Sequence, residues 1–230
     1  AKASLNLGEW DNLKHYTSKI KPEEDEDIYE TNFFSAVLEI KEKNYTKAQE
    51  YINKARNAID EKIKTLLSES YQRAYKLLIC NEHLYELEEI ISLHTKISLN
   101  ERNTHRNLLR KRWDERLEKS DKDIKNYERT LAIRGLLFTL DEDYDTHLKL
   151  AKICRREDRF TTCMIVLNRL SKRLENCGAN VSVNVKLNIS KCLTENNNQR
   201  DSQQAITNLK YIIDNEIHNI NDKLKSKIYC

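Results

Sequence analysis

The 230-residue sequence predicts an all-α fold of tetratricopeptide-like helical hairpins laid end to end as an α-solenoid. Two observations carry that expectation. Only 3 Gly and 1 Pro occur, against 33% charged and 39% apolar residues. So few breakers over this length exclude sandwiches, barrels and doubly wound sheets, whose turns need them. The second observation is an interval. Tyr45, Ala48, Ile52 and Ala55 fall at i, i+3, i+7 and i+10, one face of a 3.6-period helix. Two of the four are alanines, so a neighbouring helix can approach closely. Ala36 lies nine positions before Tyr45. A small residue, an aromatic nine on, then small residues at +3 and +10 from it is the spacing of a tetratricopeptide unit.

In chain order, the first unit (1–20) repeats those intervals with Ala1, Trp10, Leu13 and Ile20, and Gly8 is placed for a left-handed helix cap. Trp10 to Tyr45 is 35 residues, close to the repeat period of about 34. Lys19–Asp27, with Pro22 and an acidic run, reads as a loop. The second unit is 36–55, and its last helix continues through Ala58, Ile59, Ile63 and Leu66-Leu67. Ser68-Glu69-Ser70 then offers an N-cap for a helix over Tyr71–Cys80. A weaker third unit, 71–91, keeps Tyr75, Leu84, Leu87 and Ile91 without the small residues.

From Asn100 to Lys119 the chain turns basic, with Arg102, Arg106, Arg110, Lys111, Arg112 and Arg116 around an apolar face of Leu108, Leu109, Trp113 and Leu117. Asp114, Glu115 and Glu118 follow, and no exposed aromatics are interleaved for base stacking. The reading is therefore a solvated helix face, with no nucleic-acid partner. Asp121–Phe138 is a further helical run, interrupted near Gly135. The unit returns over 151–170, as Ala151, Phe160, Cys163 and Leu170. Glu175–Ser182, with Gly178, reads as a loop. The remainder, 183–230, is a degenerate last unit with an Asn196-Asn197-Asn198 turn and a stripe of Ala205, Leu209, Ile212 and Ile213. No domain boundary stands out.

Reactive constellations do not emerge. Histidines 15, 83, 94, 105, 147 and 218 give no HxxxH pair, and cysteines 80, 154, 163, 177, 192 and 230 give no CxxC pair. Cys80, Cys154 and Cys163 lie on apolar helical faces, so the expectation is buried free thiols in a reducing compartment. Carboxylates are mixed with Lys and Arg, which marks out no acid/base pair. Asp158-Arg159-Phe160 has the letters of a kinase motif, but its aromatic is accounted for by hairpin packing. No apolar run reaches the roughly 18 residues of a membrane span, and a net charge of +3 implies no polyanion. Catalytic, cofactor and metal residues are therefore none. The chain enters mid-pattern and stops in an unfinished helical run, as a domain cut from a longer protein would.

Several segments together resemble the FAT region of phosphatidylinositol-3-kinase-related protein kinases, most nearly that of target-of-rapamycin (TOR) kinases. They are Leu7-Gly8-Glu9-Trp10-Asp11, Phe34-Ser35-Ala36-Val37-Leu38, Lys54-Ala55-Arg56 and Glu69-Ser70-Tyr71-Gln72-Arg73-Ala74-Tyr75. Further on come Leu87-Glu88-Glu89-Ile90-Ile91, Trp113-x-x-Arg116-Leu117, Arg134-x-Leu136 and Leu148-Lys149-Leu150-Ala151 leading to Cys154. The resemblance runs from Ala1 to about Leu170. It implies a non-catalytic scaffold segment that clamps the kinase domain of a large serine/threonine kinase and supports TOR-complex subunits in nutrient signalling. ATP and Mg²⁺ would belong to the parent's kinase domain, outside this chain. The implied location is cytoplasmic, at the cytosolic face of endomembranes through the parent complex. In the family, basic FAT residues also bind an inositol polyphosphate. Here one expected lysine falls near Ile165, and a second basic cluster falls at 196–200, where only Arg200 is positive, so no ligand residue is transferred. A FAT segment of another related kinase and a free-standing tetratricopeptide adaptor are the alternatives. The adaptor would line its inner helices with Lys, Arg and Asn, whereas Val37, Glu39 and Ile40 stand near Ala36.

Overall fold

The computed structural model describes residues 1–20, 25–174, 179–196 and 199–215, with residues 222 and 225. Eleven helices and no strand occur among them: α1 Lys2–Leu7, α2 Trp10–Thr17, α3 Asp25–Lys41, α4 Tyr45–Glu69, α5 Tyr71–Thr95, α6 Arg102–Lys119, α7 Ile124–Arg134, α8 Tyr144–Arg156, α9 Phe160–Leu174, α10 Ala179–Glu195 and α11 Gln199–Asn215. The fold class is all-α, as expected. The largest helix–helix interfaces join sequence neighbours (α3 with α4, α4 with α5, α8 with α9, α9 with α10, α10 with α11), the local packing of a helical repeat. The chain forms two compact units. The first comprises Ala1–Asp121 and Lys125–Leu137, the second Lys122–Ile124 and Phe138–Cys230. The sequence shows no boundary there because the join carries no Pro-, Gly- or Ser-rich linker.

Three hairpin turns share one geometry, and it accounts for the interval. Gly8 (φ 72), Lys43 (φ 65) and Asp158 (φ 56) are left-handed. Each stands two positions before an aromatic: Trp10, Tyr45 or Phe160. After each, the next amide reaches back to close the preceding helix: Glu9 N–H to Ser4 O (2.9 Å), Asn44 N–H to Glu39 O (2.8 Å), Arg159 N–H to Cys154 O (2.8 Å). This is the double backbone bond of a left-handed helix cap. The residue three past each aromatic donates the first bond of the next helix: Leu13 to Glu9 O, Ala48 to Asn44 O, Cys163 to Arg159 O. Only Gly8 announces its turn in the sequence. Lys43 carries a Cβ in a conformation that costs a side-chain-bearing residue about 1 kcal/mol or more. Lys43→Gly should therefore raise the urea midpoint, and Gly8→Ala should lower stability by about 1 kcal/mol. Asp158→Gly should move it less, since Asp tolerates this region better. A Lys43→Gly variant less stable than the parent chain would contradict the shared-turn geometry.

The interval residues are placed as follows. Leu13, Ala36, Ala48, Ile52, Ala55 and Leu170 are fully buried, and Ala151 and Cys163 nearly so. The three aromatics are only half-buried. Lys41 Nζ lies 4.9 Å from the Trp10 ring centre, and Tyr45 stacks on His94 at 5.5 Å and 7°. Lys41 ends α3 and His94 lies in the last turn of α5, so each of these aromatics covers the end of the helix that follows its own. Zero exposure at Ala48 and Ala55 leaves no room for added methylenes. Ala48→Leu or Ala55→Leu should overpack the α3–α4–α5 contact and cost about 1–3 kcal/mol. Unchanged urea midpoints for both would contradict close nesting.

Several local expectations are corrected. Helix α5 runs unbroken through Cys80 to Thr95, so residues 71–91 form one helix and no hairpin. With no Gly or Pro there, a plain 3.6-residue period reproduced the unit's intervals by itself. Its N-cap position is Ser70, but the serine side chain makes no capping bond. Helix α3 already begins at Asp25 and α10 at Ala179, so residues 25–27 and 179–182 of the loops expected at Lys19–Asp27 and Glu175–Ser182 are helical. Pro22, Cys177, Gly178, Asn197, Asn198, His218 and Cys230 lie outside the described residues. Leu108 is 53% exposed and leaves the apolar face to Leu109, Trp113 and Leu117. Cys80 is half-exposed, while Cys154, Cys163 and Cys192 are buried; all four are free thiols. On α11, Ala205 and Ile212 are buried, with Leu209 and Ile213 half-exposed.

Candidate functional site

The densest polar construction of the first unit is the junction of α5, α6 and α7, and it begins with the acidic face of α5. Arg56 of α4 grips Glu88 through two nitrogens, at 3.0 and 2.8 Å, and Gln49 donates to the same carboxylate at 2.8 Å. One turn face over, Glu89 receives Arg116 (2.7 and 2.9 Å), Arg112 (3.0 Å) and the Trp113 indole N–H (2.6 Å), all from α6. Burial alone pushes both carboxyls up. For Glu88 the N–H donors Arg56 and Gln49 outweigh it, for Glu89 Arg116 and Trp113, and both are held below the usual carboxylate range.

The basic stretch of α6 is thus a solvated face only in part. Arg102 donates to the His94 carbonyl at the end of α5 (3.3 Å), and Arg106 donates to the Leu137 carbonyl (3.0 Å). Sequence charge counting could not find this, because the acceptors are backbone carbonyls and a glutamate more than 20 residues away. Of the Arg and Lys residues between 102 and 112, only Lys111 and Arg112 stand largely in water.

Helix α7 closes the junction. Arg134 is fully buried, donates to Asp114 Oδ1 at 2.7 Å and lies 5.9 Å from the Trp113 ring centre. Arg129 chelates Glu30 of α3 (2.6 and 2.7 Å) and sits 4.9 Å from the Phe33 ring centre. Among α5, α6 and α7 is a cavity of about 10 Å³ lined by Glu82, His83, Glu86, Arg116, Leu117 and Thr130 among others. His83 Nε2 meets Thr130 Oγ1 at 3.3 Å. Burial, aided by the Arg129 charge, pushes the His83 pKa down to about 3. Burial likewise pushes Glu86 up to about 8; Arg134 and Arg116 oppose it, while Glu82 and Glu89 reinforce it. Both shifts favour the uncharged form at neutral pH.

In the second unit, Cys154 of α8, Cys163 of α9 and Cys192 of α10 come together, with Cys192 Sγ donating to the Phe160 carbonyl at 3.8 Å. Burial raises the Cys163 and Cys192 thiols, which keeps them protonated and poor nucleophiles. Arg155 pairs with Glu195 across α8 and α10. Asp158 of the Asp-Arg-Phe string is the left-handed turn residue described above. No group of three or more His, Cys, Asp or Glu among the described residues is placed to hold a metal ion. In both units charged side chains join one helix to another.

The family model for the FAT domain matches residues 1–229. The chain belongs to the FAT domain family. Similar full-length proteins are the serine/threonine-protein kinase TOR of Arabidopsis thaliana, 30% identical over 74% of this chain, and TOR2 of Saccharomyces cerevisiae, 32% identical over 74%. The Schizosaccharomyces pombe kinase tor1 is 33% identical over 69% of the chain. This FAT segment spans only 6–7% of the length of those three relatives. The resemblance read from Leu7–Asp11, the Glu69–Tyr75 segment and Leu87–Ile91 is therefore that of a true family member. No helix among the described residues of this FAT segment is long and apolar enough to cross a membrane.

Proposed function

We propose that the chain is a non-catalytic scaffold and regulatory segment of a TOR-type serine/threonine kinase, which clamps the parent's kinase domain and supports its partner subunits. The observation that carries this reading is the FAT match over residues 1–229 on a stack of helical hairpins. Some of its charged residues tie helix to helix, as Glu89 does with Arg112 and Arg116. Such ties hold a lever stiff and let it pass displacement along, which suits a clamp. ATP and Mg²⁺ chemistry, and the nutrient signal, would then belong to the parent at the cytosolic face of endomembranes. An inositol polyphosphate stays outside this reading, since Ile165 stands near the expected lysine and Arg200 is the only basic residue in the stretch 196–200.

Crosslinking with mass spectrometry of the parent kinase tests the clamp directly. Lysines of this segment should link to the kinase domain, and the links should weaken when the junction is opened by Arg116→Glu. Absence of any link to the kinase domain would overturn the clamp. The isolated 230-residue chain should hydrolyse no ATP above a mock preparation; turnover that follows the chain through purification would overturn the non-catalytic reading.

A further inference from the structure

Between the Glu89 clamp and the turn after α5, helices α5 and α6 leave an open groove of about 580 Å³. Its walls are two helical ridges. Tyr85, Glu88, Glu89, Ser92 and Lys96 follow one face of α5 into its C-cap, and His105, Leu108, Leu109 and Arg112 follow one face of α6. Leu93, Ile97 and Leu109 make the floor apolar. Two large apolar side chains on the walls stand in water, Tyr85 at 51% and Leu108 at 53% exposure. An isolated exposed Leu needs no explanation, but a Tyr and a Leu facing one apolar floor form a patch.

The charge around the groove is not balanced. Glu88 is already held by Arg56 and Gln49, and Glu89 is shared by three donors of α6. Arg112 spends one nitrogen on that shared carboxylate and keeps its guanidinium 58% exposed. Lys96 stands exposed on the same rim. An apolar floor between helical ridges accepts the apolar stripe of a third helix, and a cationic rim selects carboxylates on its flanks.

We propose that the α5–α6 groove docks an acidic amphipathic helix of a partner protein, its apolar stripe between Tyr85 and Leu108 and its carboxylates at Lys96 and Arg112. The proposal rests on the chemistry of the groove and stands apart from the clamp reading.

Fluorescence anisotropy on the 230-residue chain tests it, using a labelled peptide of about four helical turns with Leu at i, i+3, i+4 and i+7 and Glu elsewhere. A counterpart with Lys in place of every Glu is the second probe. The acidic peptide should bind saturably, at least about ten-fold tighter than the basic one at about 0.1 M salt. Leu108→Asp and Lys96→Glu should each weaken it about five-fold or more. Ile165→Asp, the same kind of change at an exposed apolar position of α9, should leave binding alone. Leu108 and Ile165 are exposed, so the melting curves of Leu108→Asp and Ile165→Asp should match that of the unsubstituted chain. No binding of the acidic peptide, equal binding of both peptides, or a Leu108→Asp variant that binds normally would each overturn the proposal. Sedimentation of the free chain covers the other occupant: self-association abolished by Leu108→Asp and unaffected by the acidic peptide would assign the groove to a second copy, and the proposal would fail.

Discussion

Trp113→Ala should cost the first unit about 3–5 kcal/mol, the range for truncating a fully buried large side chain. Trp113 has no exposed surface and is the largest fully buried side chain among the described residues. Its loss acts twice. The cavity removes packing between α6 and α7, where the Arg134 guanidinium approaches the indole ring. The missing indole N–H also takes the 2.6 Å hydrogen bond from Glu89, a half-buried carboxylate that relies on it. Trp113→Phe separates the two, because it keeps most of the ring and loses the donor, and should cost about 1–3 kcal/mol. Amide hydrogen exchange gives the location: protection should fall across α5, α6 and α7, with α8–α11 of the other compact unit unchanged. An Ala variant that loses less than about 1 kcal/mol in urea would mean the junction is not what holds this unit.

Glu86→Gln should stabilise the chain by about 1–3 kcal/mol at pH 8 and flatten its pH dependence. Glu86 is buried and its pKa stands at about 8, against an ordinary value of 4.5. From pH 4.5 to about 8 the native state holds a proton that the unfolded chain has released. Stability from this group is thus complete below pH 4.5 and is lost as pH rises through 8. His83 acts in the opposite sense. Its pKa is lowered from 6.5 to about 3, so its contribution is complete above pH 6.5 and is lost as pH falls toward 3. The two slopes oppose one another between pH 4.5 and 6.5, and above 6.5 that of Glu86 stands alone. The amide of the Glu86→Gln variant mimics the protonated acid and cannot ionise. Urea midpoints measured across pH 6.5–8 should fall in the parent chain and stay nearly level in the variant; equal slopes would place Glu86 in a wetter site than its burial implies.

Much of the packing could be read in advance, and the reason is its locality. Ala48, Ile52 and Ala55 face one way because 3.6 residues make a turn, whatever else the chain does. The aromatic, +3 and +10 positions recur because one tight turn fixes where the next helix begins. The same locality misled at 71–91, where any long amphipathic helix satisfies apolar intervals of that size. Lys43 and Asp158 were invisible as turn residues since only glycine advertises a positive φ. At the α5–α6–α7 junction the sequence showed acids on one helix and bases on another, and nothing in their spacing said they would meet.

The sequence by itself determined the all-α class, much of the apolar periodicity that helices such as α4 bury, and the resemblance to the FAT family. All of these are recorded in residues near one another along the chain. Only the tertiary structure decided that Arg116 closes on Glu89, that Arg134 is buried on Asp114, and that Leu108 is left in water beside Tyr85. The physical reason is range. A helix face depends on the next few residues, whereas an ion pair or an open groove depends on which distant helices share a junction and how much of each they leave uncovered.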